Sequence, residues 1–293
     1  MSTQVNAPLF RKAAGNVLSF CDADLFKKTD NFRGYPNLVG YDLLSDPDFQ
    51  NIIKPKIDEC IETLHAFDNE CAEVCEADEI RYKFAPHSND LAGEITDYLI
   101  AKGCTGKAAG LIGQAMKLHD IGKEKIDAVL WHQKEKVNKD DVKEKRRCHT
   151  IEGEKIVRKW LNDVPADNIA LREFIDFAAD LALYHHVGME PNKLWDKVVT
   201  DLPIALIVAA TVEGYDGHRL ERDTTLPKYR TPQKAMDKME QKCDEDKAYH
   251  PAYAYDYCQY RLETPSPIPE IRNAHPDFTY TPVTNKQKSL ALN

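Results

Sequence analysis

At 293 residues with 42% hydrophobic side chains, the chain can bury a substantial core and reads as one large domain or one domain with appendages. Its formal net charge of −9 argues against a general binder of duplex nucleic acid or anionic membrane, which displays a basic surface, so an anionic substrate requires a local basic pocket. The longest apolar run, residues 202–210, is too short to span a bilayer, and residues 1–16 lack the apolar core of a signal peptide, so a cytoplasmic location is expected.

Residues 1–80 form a first division, an N-terminal helical extension that caps the core or mediates a homodimer. Within it Gly34-Tyr35-Pro36 reads as a turn, and an acid-rich helix runs from about 50 to 76. The eight cysteines include no Cys-x-x-Cys pair, which leaves no zinc knuckle or disulfide framework. Cys71 and Cys75 stand one helical turn apart and are read as two buried free thiols rather than a metal pair.

The second division, residues 81–245, is a succession of amphipathic helices, which makes the fold class all-α. His87, Leu91, Ile95, Tyr98 and Leu99 recur at three- and four-residue steps, the period of a helix with one apolar face. A second helix carries Ala108, Leu111, Ile112, Ala115 and His119, with Gly122 where a helix end favours a left-handed residue. A third shows His149, Gly153, Ile156, Val157 and Trp160 on one face; a fourth runs from Leu171 through Leu181 to His185 and ends near Gly188. A fifth, from about Pro203, places Leu206, Ala210 and Glu213 on one stripe. The basic cluster Lys143, Lys145, Arg146 and Arg147 reads as a solvated linker face. The third division, residues 246–293, is an extended arm rich in tyrosine and then proline. Tyr253, Tyr255 and Tyr257 either stack on guanine bases or pack the arm against its own core, and packing is preferred.

In each of the five helices a His or Glu continues the apolar face and points inward, with Asp120 and His186 beside two of them. A lone inward histidine is ordinarily a core side chain bonded to backbone. Burying several ionisable groups together costs several kcal/mol or more unless partners compensate, and divalent cations do so economically. Imidazole and carboxylate ligands together suit iron, manganese, zinc or nickel.

The order His87, His119-Asp120, His149, His185-His186 and Glu213 resembles the HD superfamily of metal-dependent phosphohydrolases. More narrowly it is similar to the HD-GYP branch, whose members hydrolyse cyclic di-GMP. The segments HDIGKEKI, HTIEGEKIV, YHH, LPIALIVAATVEGYD and YRTPQKAM carry the resemblance over roughly residues 87–240. Three features depart from it. The Gly-Tyr-Pro loop is missing after the paired histidines, where the chain reads HHVGMEPNKLWD; Glu213 replaces an aspartate, with Asp216 three residues on; and Lys83 occupies the place of the glutamate found in three-metal members.

The resemblance implies an HD-domain helical bundle holding two divalent transition-metal ions, iron or manganese foremost and nickel or zinc as alternatives. Asp120 would bridge them, with His119 and Glu213 on one side, His149 and His185 on the other, and His87 and His186 completing the shell or binding the departing phosphate. It further implies a phosphodiesterase that attacks a cyclic dinucleotide, or another phosphorylated small molecule, through a hydroxide between the ions. Lys123 is read either as a phosphate ligand or as a solvated lysine after a helix end; Arg222 and Arg230 are further phosphate candidates. Two other classes stay open: an HD-type diiron oxygenase, and a degenerate receptor that binds a nucleotide without turnover.

Overall fold

The computed structural model describes residues 32–74, 83–131, 139–221 and 228–264. Arg222 and Cys75, and the proline-rich part of the C-terminal segment, lie outside the described residues. What is described is all-α, apart from a two-residue antiparallel pair, Leu220–Glu221 with Lys228–Tyr229.

The first turn already shows how the N-terminal segment docks. Gly34 adopts φ +94°, which a side chain would disfavour, and swings Tyr35 inward so that its hydroxyl donates to Asp180 at 2.6 Å. Helix α1, Lys54–Val74, follows a π-helical turn and buries Ile57, Ile61, Leu64, Phe67 and Cys71 along one stripe. Asp68 on that stripe reaches a second helix. Its two carboxylate oxygens accept the N–H groups of Phe84 and Ala85 at 2.7 and 3.1 Å, which caps α2, Phe84–Ala101, from a neighbouring element.

Helix α3, Gly106–Met116, starts on Thr105, whose hydroxyl accepts the Ala108 N–H. It packs closely on α2 at Gly113, where a Cβ would stand 2.3 Å from the Thr96 hydroxyl. Turns over 117–120 and a 3-10 segment, Ile121–Lys125, follow. Gly122 lies inside that segment and has no positive φ, so it is not the left-handed helix stop that the sequence suggests. Its lack of a side chain serves packing instead: a Cβ there would meet the His149 carbonyl oxygen at 2.0 Å and the Gly153 nitrogen at 2.3 Å.

The remaining helices are α4, Lys139–Arg147; α5, His149–Arg158; α6, Ile169–Tyr184; α7, Ile204–Arg219; α8, Pro232–Asp244; and α9, Pro251–Glu263. Arg158 ties α5 to α6 by donating to Asp176 and Asp180 at 2.6 Å each. One hydrophobic core runs from Phe32 to Cys258 and includes α1, which packs on α2 and on the 121–125 segment.

The segment read as an extended arm is helical over Pro251–Glu263. Pro251 occupies the first turn, where a missing N–H is tolerated, and Tyr253, Tyr257 and Arg261 follow at four-residue steps on the buried side. Tyr255 is half-buried, so the tyrosines pack the segment on its own core. Among the described residues no helix is long and apolar enough to cross a membrane.

Candidate metal centre

Five backbone elements converge on one carboxylate. Helix α2 brings His87, the 117–120 turns bring His119 and Asp120, the start of α5 brings His149, the end of α6 brings His185 and α7 brings Glu213. All of these side chains are buried. His186 is the member of the group with surface exposure, and its ring lies 4.0 Å from that of His185.

Asp120 presents its two oxygens to different sets of ligands. Oδ1 lies 3.3 Å from Nε2 of His149 and 3.7 Å from Nε2 of His185. Oδ2 lies 3.2 Å from Nε2 of His119 and 3.8 Å from Nε2 of His87. Glu213 stands beside His87, Oε2 to Nε2, at 3.3 Å. Two groups of side chains with metal-ligating atoms result: His149, His185 and His186 supply three imidazoles, while His87, His119 and Glu213 supply two imidazoles and a carboxylate.

The histidine tautomers can be read from the backbone. Nδ1 of His119, His149 and His185 lies on the carbonyl oxygens of Met116, Arg146 and Ala182 at 2.8, 2.6 and 2.9 Å. A carbonyl only accepts, so each Nδ1 carries the hydrogen and, in a neutral ring, each Nε2 is a bare lone pair aimed at Asp120. In each case the partner lies three residues upstream, the last turn before the histidine.

A cation fits this donor set. Nε2 of His149 and Nε2 of His185 are 3.2 Å apart, which turns two lone pairs toward each other. Burial and the neighbouring imidazoles hold the His185 pKa well below its ordinary value, so protonating it is an expensive remedy. Asp120 Oδ1 and His119 Nε2 are also buried without an aligned hydrogen bond. A divalent ion satisfies acceptors that face inward in this way. Buried His, Asp and Glu side chains here can therefore hold a metal ion.

Charge is tuned within the cluster. Burial alone would raise the Asp120 carboxyl, but His119 and Lys123 outweigh it and hold the group well below the usual carboxylate range. Glu213 is likewise driven low, against burial, by His87. Burial opposes a charge on His87, yet Asp216 and Glu213 raise its pKa to about 9.

Lys123 is no solvated lysine. It is 6% exposed, its ammonium bonds Asp120 Oδ2, and it sits 4.5 Å from the Phe84 ring centroid and 5.3 Å from that of Trp131. Arg146 and Arg147 are also not a free linker face: both are half-buried, Arg146 over the Trp131 ring at 5.7 Å and Arg147 over that of Trp195 at 5.8 Å. Arg230 donates to the His218 carbonyl at 2.8 Å, two residues beyond Asp216 near the C-terminal end of α7.

Sequence reasoning missed the box around Lys123. Neither Phe84 nor Trp131 carries a local signal for it, because the contacts join α2, the 121–125 segment and the residues after it. Neither a model of a known protein family nor any curated protein matches this chain.

Proposed function

We propose that this protein is a metal-dependent phosphohydrolase that cleaves a phosphodiester, with a cyclic dinucleotide as the substrate class. The observation that carries the reading is the division of Asp120 between two buried ligand groups, Oδ1 toward His149 and His185 and Oδ2 toward His119 and His87. A pair of divalent ions held by those groups, iron or manganese foremost by the resemblance, would supply a water activated at neutral pH and charge to stabilise the leaving oxygen.

The chain's own side chains do the rest. Asp120, held ionised, is acceptor-only and links the two groups. The His119, His149 and His185 rings are fixed by their carbonyl partners, so no rotamer search precedes binding. Lys123 places an ammonium at the edge of the cluster, where a phosphate oxygen can share it. A buried cation in that place suits an anionic substrate better than dioxygen, which favours phosphate chemistry over an oxygenase.

The test is turnover. Protein purified anaerobically and loaded with iron or manganese is incubated with a panel of cyclic dinucleotides, and the products are separated chromatographically. A linear dinucleotide or a mononucleotide is expected from wild type and none from Asp120→Ala, which keeps its helical circular dichroism and loses at least one ion. Full turnover by Asp120→Ala, or oxygen consumption with no hydrolysis product from wild type, would sink the reading.

A further inference from the structure

His87 is supported differently from its three companions. Where His119, His149 and His185 rest Nδ1 on backbone carbonyls, Nδ1 of His87 lies 3.1 Å from Oδ2 of Asp216. Asp216 is 5% exposed, stands on α7 one turn after Glu213, and so shares its face toward α2. The far side of the same ring, Nε2, is turned to Glu213 and Asp120.

The support of His87 comes from a different element. His87 is the fourth residue of the helix, and its own N–H bonds the Lys83 carbonyl just outside the first turn. The other three histidines each reach, with Nδ1, the backbone carbonyl three residues back. For His87 the partner comes from the facing helix, as a carboxylate.

We infer that Asp216 is a positioning residue: it fixes the tautomer and orientation of His87, so that Nε2 completes the His87, His119 and Glu213 group. This rests on the metal reading above and assigns a role within it. A carboxylate behind a ligating imidazole orients the ring and makes the nitrogen on the other side a better ligand, and removing such a partner costs about 10- to 100-fold in metal affinity. One consequence separates the two ligand groups. The His149, His185 and His186 set does not contain His87, so its affinity stays where it is when Asp216 is changed.

The experiment is a cobalt(II) titration of the full chain followed by its visible absorption, with circular dichroism as a check on the fold. Wild type is expected to take up two ions. Asp216→Ala should keep one at wild-type affinity and bind the second about 10- to 100-fold more weakly. Asp216→Asn should recover most of that loss, because an amide oxygen in the same place can accept from Nδ1 as the carboxylate can. Two ions bound by Asp216→Ala as tightly as by wild type would overturn the assignment. Equal losses in the Asn and Ala variants would overturn positioning in favour of net charge. Uptake of no ion by wild type would instead overturn the metal reading and this role with it.

Discussion

Nζ of Lys123 bonds Oδ2 of Asp120, the same oxygen that faces His119 and His87. The ammonium and any ion held by that ligand group therefore draw on one carboxylate. Phe84 and Trp131 wall the ammonium on the remaining sides and can hold it near its place when a second anion arrives. Lys123→Ala removes a competitor for Asp120 and a partner for the substrate at once. We expect it to keep its metal content and to lose kcat/KM by about 10- to 100-fold, the equivalent of one charge-assisted hydrogen bond. Loss of metal from this variant, measured by elemental analysis, would show that the lysine supports the ion site rather than the substrate.

Helix α2 depends on another part of the chain for its cap. Its N-terminus carries His87 one turn in, and the N–H groups of Phe84 and Ala85 find their acceptor in Asp68 of α1. Asp68 is 2% exposed, and burial raises its carboxyl pKa although the two N–H groups oppose the shift. A folded value above the unfolded one means that the folded state takes up the proton more readily. The contribution to stability is thus fully present below the ordinary carboxylate range and is lost as pH rises through the raised folded value. Asp68→Asn keeps an acceptor and cannot titrate, so its stability relative to wild type should improve between about pH 3 and pH 7. Urea midpoints of the two proteins at both pH values check this; a constant difference would mean that the carboxyl titrates alike in both states.

The same elements show what was legible in the chain. His87, His119, His149, His185 and Glu213 stood out because each continues an apolar stripe at the helical period, a local pattern that survives without knowledge of the fold. The Asp68 cap was not, since its partners lie 16 and 17 residues away. Nor was the true role of Gly122, whose close neighbours are the His149 carbonyl and Gly153. A glycine's open φ can be guessed from its neighbours in sequence; close approach of two backbones cannot. Helix α9 was misjudged for a related reason: its proline and tyrosines suggested an extended arm, and only the facing surfaces of α8 and α7, with side chains of α2 beside them, make a helix the better use of them.

At the scale of the whole molecule, α9 closes the core over α2 through polar contacts set within apolar ones. The Tyr98 hydroxyl donates to Asp256 at 2.5 Å, Lys102 reaches the same carboxylate at 2.6 Å, and the Tyr257 hydroxyl donates to Glu94 at 3.1 Å. Tyr98 is fully buried and its ring packs edge-on against Tyr257 at 4.9 Å. Lys102 and Asp256 keep 23% and 14% side-chain exposure, which limits their ion pair to about 1 kcal/mol or less. The larger effect of Asp256→Ala is a Tyr98 hydroxyl stranded without its acceptor, at about 1–3 kcal/mol. Because α9 shares one hydrophobic core with α2 and α7, the loss should appear as a lower urea midpoint with an unchanged slope and a single transition. Metal uptake should stay at the wild-type level, since Asp256 bonds Tyr98 and Lys102, more than two turns beyond His87 along α2. An early, separate transition would make α9 an independent unit docked on the bundle, and metal loss in step with it would make that docking the support of His87.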